Sequence, residues 1–203
     1  MKQVTGSNTP QATNKVSIQL TLDGHSFSAH GLDGEFPGEE PVEAELLTAR
    51  TMLVPEEVLG TGDAGTLLAA NGTAPAAEER AVCSLPVQGI VAVMAAHREA
   101  LRQAEEKLGD RIRYTTPLLR EVQAGTPTVW AYRTAGLLYI KVYDGILRFA
   151  GVIPAPDTAD VCYFTERLEK EVALKSCELR ISGDDAKACG KLLKGYFKRI
   201  VCE

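Results

Sequence analysis

Apolar and polar positions alternate near the start of this chain. Val16-Ser17-Ile18-Gln19-Leu20-Thr21-Leu22 reads as a half-buried strand, and Asp23-Gly24 turns it into a second β-rich run over residues 25–30. Asp-Gly between two such runs is a strong hairpin signal, because both central residues of the tight turn take positive φ. The same plan returns as Tyr139-Ile140-Lys141-Val142-Tyr143, Asp144-Gly145, then Ile146-Leu147-Arg148-Phe149-Ala150. A duplicated plan predicts two related lobes with a cleft between them.

Between these runs the pattern changes period several times. Residues 31–41 hold Gly, Pro and acids and read as a loop, and residues 43–49 read as a short helix. Residues 51–54 form a short β-rich run. Pro55-Glu56-Glu57 then reads as the first turn of a helix, with acids at the positive end of its dipole. Residues 80–85 and 90–95 predict a second hairpin around Pro86–Gly89. Residues 97–108 place Leu101, Ala104 and Leu108 on one helical face, and Gly109 stops the helix. A short strand over 111–114 and a short helix over 117–124 follow, before the break at Gly125-Thr126-Pro127.

Beyond that break, residues 129–133, 137–143 and 146–153 read as three consecutive antiparallel strands, ended by Pro154 and Pro156. Asp157 or Thr158 caps a helix predicted over 159–173, with Val161, Phe164, Leu168 and Val172 on its inner stripe. A strand over 178–181, a helix over 184–196 and an edge strand over 198–201 complete the order β-β-β-α-β-α-β, which is ribonuclease-H-like. The first half fits the same order, with residues 51–54 as its third strand. The expected fold class is therefore α/β (α+β): two tandem ribonuclease-H-like lobes in an actin-like ATPase arrangement, with mixed sheets flanked by helices. Residues 1–14 are expected to be a disordered N-terminus, 15–125 the first lobe and 126–203 the second. This step is analogy of fold and carries no function by itself.

Composition narrows the classes. The 203 residues carry a formal net charge of −5, so no global field draws the chain to nucleic acid or to an anionic membrane. No apolar run approaches the roughly 20 residues a membrane helix needs. The polar start has no apolar core, so it does not read as a secretory signal. Five cysteines, with no C-x-x-C pair, read as reduced thiols, and the expected location is cytoplasmic. The expected partner is another protein, and neither membrane nor nucleic acid is expected.

Several segments resemble one family. The hairpin from Val16 to Ser28, the stretch Leu53-Val54-Pro55-Glu56-Glu57-Val58-Leu59 with Asn71-Gly72 after it, Asp160-Val161-Cys162-Tyr163-Phe164, and Leu179-Arg180-Ile181-Ser182-Gly183 are similar to the uncharacterised bacterial family called domain of unknown function 3822. The resemblance implies an actin-like ATPase fold and brings no activity with it.

An actin-like ATPase holds nucleotide with three turns, and each is altered here. The first is an acidic, glycine-containing hairpin turn, Asp-x-Gly-Ser/Thr. This chain has Asp23-Gly24-His25-Ser26, lacking the intervening residue. The second-lobe equivalent, Thr134-Ala135-Gly136, has no acid; in the other register it is the tight pair Asp144-Gly145. The third, a Gly-Gly turn beneath adenosine, is Ser182-Gly183-Asp184-Asp185, with one glycine and added carboxylates. Candidate cofactor-binding residues are Asp23, Gly24, Ser26, Gly183 and Asp184, for weak ATP and Mg²⁺ at most; no catalytic residue and no metal ligand is assigned. The expected role is a non-catalytic interaction or scaffold protein with a degenerate nucleotide site. The alternative is an ATP-binding kinase, ATPase or switch with atypical phosphate loops.

Other motifs read as structural. Gly60-Thr61-Gly62-Asp63-Ala64-Gly65 matches G-x-G-x-x-G but follows a helical stretch, where a dinucleotide fingerprint needs a buried strand. Neither first strand carries the mid-strand acid of a two-metal nuclease. His25, His30 and His97 lack a metal-binding context, and Ser84 and Ser182 lack a nucleophile elbow. Lys187, Lys191, Lys194 and Lys198 read as a solvated helix face, with an acidic partner or RNA as the alternative, and Trp130 with Tyr132 reads as sheet packing.

Overall fold

The computed structural model describes residues 14–20, 27–30, 35–36, 38–60, 62–123 and 125–203. Its elements run β1 (Asn14–Leu20), β2 (Phe27–His30), β3 (Val42–Leu47), β4 (Thr51–Pro55), α1 (Glu56–Leu59), α2 (Ala64–Ala70), β5 (Glu79–Cys83), β6 (Ile90–His97), α3 (Arg98–Leu108) and β7 (Ile112–Thr115). The second half adds β8 (Thr128–Thr134), β9 (Leu137–Asp144), β10 (Ile146–Pro154), α4 (Thr158–Leu168), β11 (Glu178–Gly183), α5 (Ala186–Leu192) and β12 (Arg199–Cys202).

These strands form three sheets, ordered β2-β1-β3-β7, β10-β9-β8-β11-β12 and β4-β6-β5. In the five-stranded sheet β8 pairs antiparallel with β9 and parallel with β11, and β11 is parallel to β12. In the four-stranded sheet β1 pairs antiparallel with β2 and parallel with β3, and β3 is parallel to β7. The sequence of pairing senses β9-β8-β11-β12 thus returns in β2-β1-β3-β7. The hairpin expected at the start is the β1–β2 pair, while its Asp23-Gly24 turn and residues 1–13 lie outside the described residues.

The second half follows its pattern closely. Along β8, β9 and β11, Val129, Ala131, Leu138, Ile140, Val142, Leu179 and Ile181 face one core, shared with Val161 and Leu168 of α4 and with Cys189 of α5. Asp157 caps α4, accepting from the Ala159 and Asp160 amides at 2.8 and 3.0 Å, while the Asp160 carboxylate accepts from the Asp157 amide. The helix stops at Leu168 rather than near residue 173, and a 3-10 turn at Leu174–Ser176 leads into β11. The helix expected over 184–196 is shorter too: α5 is seven residues long, continued by a 3-10 turn at Leu193–Gly195.

The first half departs from its pattern in three places. Residues 43–49, read as a helix, are the strand β3. Val-Glu-Ala-Glu-Leu-Leu has good local helix propensity, but Val42, Ala44 and Leu46 are packed between β1 and β7 and against α3, and tertiary packing outweighs propensity. Residues 51–54 were expected as the third strand of the first sheet. They form β4, which pairs antiparallel with β6 in the separate three-stranded sheet. The described residues of the helix expected over 117–124 hold only a 3-10 turn at Pro117–Leu119, which ends at the extended Arg120.

Strand β6 explains its own uninterrupted apolar sequence. Ala92, Met94 and Ala96 face the core under α3, whereas Val91, Val93 and Ala95, with Val54 of the neighbouring β4, pack against Leu68 of α2. A strand covered on both sides has no polar face to alternate with. Among the described residues, no helix is long and apolar enough to cross a membrane.

Candidate functional site

Strands β8 and β11 are parallel neighbours, so the turns that follow them lie side by side. In open α/β sheets this carboxyl edge is where ligands bind. Register sets Gly183 opposite Arg133 and Ser182 opposite Tyr132. The turn after β8 is a tight two-residue connection with φ of 57° at Ala135 and 70° at Gly136. The turn after β11 has φ of 88° at Gly183 and 53° at Asp185.

Glycine is required at 183 twice over. Its φ suits glycine, and a Cβ there would stand 2.0 Å from the carbonyl oxygen of Arg133. That closeness lets the Asp184 amide donate to the Arg133 carbonyl at 2.7 Å. The Asp184 side chain then reaches across, and its Oδ2 accepts from the Ala135 amide at 3.1 Å. A backbone N–H of the turn after β8 is thus already engaged by the protein's own carboxylate.

Arg133 is the cation at this edge, and it is 5% exposed. Its Nε donates to the Ala155 carbonyl at 3.1 Å, its Nη2 to the Pro156 carbonyl at 2.5 Å, and its Nη1 to Asp185 Oδ2 at 2.9 Å. One side chain ties the end of β8 to the β10–α4 and β11–α5 connections. Backbone amides at the start of α4, with Arg133 nearby, hold the Asp157 carboxyl below the usual carboxylate range. Asp157, Asp184 and Asp185 therefore bring three carboxylates to the edge where Arg133 already has three of its five N–H groups engaged. That balance disfavours a polyphosphate, which needs free N–H groups and net positive charge.

Of the residues assigned from sequence, Gly183 and Asp184 stand together here, while Asp23, Gly24 and Ser26 lie outside the described residues. Sequence reading missed Arg133 and its pairing with Asp185, because the two partners are 52 residues apart and nothing local links them. Among the described residues no group of three or more His, Cys, Asp or Glu is placed to hold a metal. The G-x-G-x-x-G stretch joins α1 to α2, and its Asp63 caps α2 by accepting from the Thr66 amide. His97 caps α3 with Nδ1 accepting from the Glu99 amide at 3.3 Å. Trp130 and Tyr132 stack with centroids 6.2 Å apart, and Trp130 packs with Leu47, Leu118 and Tyr139.

The fold has a counterpart among solved structures. A Bacteroides thetaiotaomicron protein, described as having an actin-like ATPase fold and unknown function, superposes with a TM-score of 0.70 at 15% identity, covering 93% of this chain and 90% of that one. The likeness is one of fold. This chain is a mixed α/β protein matching an actin-like ATPase fold. The cytoplasmic domain of EpsL, an inner-membrane component of the Vibrio cholerae type II secretion system, aligns with a TM-score of 0.44 at 9% identity over 82% of this chain and 81% of that domain. No protein-family profile matches the sequence, so the likeness to domain of unknown function 3822 stays a resemblance. No curated protein matches either.

A second polar feature lies on the opposite face of the five-stranded sheet. Lys141 is 3% exposed, and its ammonium donates to the Arg120 carbonyl. It sits 4.9 Å from the Trp130 ring and 5.9 Å from that of Tyr143. Arg120 in turn donates to Glu45 at 2.9 Å, and its guanidinium lies 4.0 Å over the Tyr132 ring. Burial, with the Arg120 charge assisting, pulls Lys141 down to about 8.

That shift has a consequence for stability. Between pH 8 and 10.5 the unfolded chain keeps a proton on Lys141 that the folded chain has released, so this group's contribution to stability rises with pH across that window. Below pH 8 both states hold the proton, and the buried charge carries its full cost. Lys141→Met is therefore expected to gain about 3 kcal/mol at neutral pH from the removed charge, less about 1–2 kcal/mol for the lost hydrogen bond and ring contact. The charge-derived part fades toward pH 10.5. Urea unfolding of both proteins at several pH values checks it. Taking the difference cancels the buried thiols and phenols, whose raised values act on both proteins alike.

Proposed function

We propose that this chain is a non-catalytic interaction protein, built as two tandem ribonuclease-H-like lobes on an actin-like fold whose nucleotide site is closed by its own carboxylates. The observation that carries this reading is the Asp184 side chain on the Ala135 amide. The residue occupies the turn that would underlie adenosine, and it uses a donor that would face phosphate. The engagement of Arg133 with Asp185 and two carbonyls supports it. The recurrence of the β9-β8-β11-β12 pairing order in β2-β1-β3-β7 supports the two-lobed architecture, with residues 15–125 and 126–203 as the lobes.

Thermal unfolding with and without millimolar Mg-ATP, ADP and GTP tests the reading. A ligand at 100 times its Kd adds roughly 2.7 kcal/mol, on the order of 6–10 °C for a chain of this length. No shift with any of the three is the expected result. A shift of that size, altered by a charge reversal in the turn such as Asp184→Lys, would overturn the reading in favour of an ATP-binding switch.

A further inference from the structure

A groove of about 280 Å³ opens beside Lys141, walled by Leu53, Leu118, Leu147 and Tyr143. Its polar floor is Lys141 and Arg120, and the exposed Glu121 stands at its rim. Arg120 is matched by Glu45. Lys141 is not matched in this way. Among the described residues its partners are one carbonyl and two aromatic rings, and an ammonium has three hydrogens to donate. A buried cation without a carboxylate is costly, and an anion that enters the site relieves that cost.

We propose that this groove binds a small apolar carboxylic acid, its carboxylate accepting from the Lys141 ammonium and its hydrocarbon body lying against Leu53, Leu118 and Leu147. The carboxylate supplies the missing charge and accepts the remaining N–H groups, and the apolar walls supply the rest of the affinity. The groove is small for a ligand site, which favours a short chain over a drug-sized molecule. Glu121 works against an anion only weakly, because it is exposed and water screens it. The groove lies away from the turns after β8 and β11, so the proposal stands independently of the nucleotide reading.

The chain has a single tryptophan, and its ring lies beside the Lys141 ammonium, so its fluorescence reports on this site. Octanoate serves as the probe at neutral pH, with octanol and octylamine as neutral and cationic controls of equal length. The expected result is a saturable fluorescence change with octanoate, at least about tenfold tighter than with octanol, since a charge-assisted hydrogen bond is worth that much. Octylamine is expected not to bind. Lys141→Met, and independently Lys141→Gln, should abolish the preference for octanoate over octanol while circular dichroism shows a folded protein. Equal binding of octanoate and octanol would overturn the proposal. So would the absence of a saturable change up to about millimolar probe, or a preference that survives in a folded Lys141 variant.

Discussion

Gly183→Ala is expected to destabilise the fold by on the order of 2–5 kcal/mol. Two costs add. The φ of 88° is one that a side-chain-bearing residue adopts with strain of about 1–2 kcal/mol. The new Cβ would also stand 2.0 Å from the Arg133 carbonyl oxygen, which is backbone and cannot swing aside. Relieving that contact means parting β8 from β11 where the two turns meet, and overpacking of this kind costs about 1–3 kcal/mol more. Gly72→Ala is the matched control: its φ is 75°, and a Cβ there meets nothing within 4 Å. It should cost only about 1 kcal/mol. Denaturant melts of the two variants separate backbone strain from close approach. Equal losses would show that the contact between Gly183 and Arg133 has no energetic weight.

Arg133→Met is expected to cost about 2–4 kcal/mol. Methionine keeps the apolar stem packed beneath the turn, so the loss is chiefly that of the guanidinium. The Ala155 and Pro156 carbonyls lose their donors, and each buried unsatisfied group costs about 1–3 kcal/mol before local water intrudes. Asp185 loses little by itself, because its side chain is 66% exposed and water replaces the arginine. Arg133→Lys should recover only part of the loss, since a single ammonium cannot reproduce the planar fork that reaches three partners. Hydrogen exchange gives the local readout. Amides at the start of α4 and in the turn after β11 should lose protection together in Arg133→Met. Loss confined to one of them would mean that Arg133 does not tie both connections.

Much of the fold was legible because its elements are punctuated. Strands β8 to β10 are rich in β-branched and aromatic residues and are bounded by Gly or Pro, and Asp157 marks the start of α4. The hairpin of β5 and β6 and the helix α3 with its Gly109 stop were legible for the same reason. β3 was not, because Glu43, Ala44, Glu45 and Leu46 favour a helix locally and a strand only between β1 and β7. Glu45 also looks like a surface acid in sequence, yet it is 4% exposed and matched by Arg120, 75 residues away. The candidate site was half legible. Ser182-Gly183-Asp184-Asp185 announces a turn with excess carboxylate, but nothing in it says that Asp184 reaches Ala135 or that Asp185 reaches Arg133.

By itself the sequence determined the order of most elements and the turns that end them. Those features follow from periodicity, φ preference and caps, which act within a few residues. Only the tertiary structure decided that β4 joins β6 rather than the first sheet, that a carboxylate occupies the donor of the turn after β8, and that Lys141 is buried beside an apolar groove. Each of these depends on which distant groups come together, because a strand edge, an amide or a buried charge takes whatever partner the packing of the whole chain leaves within reach.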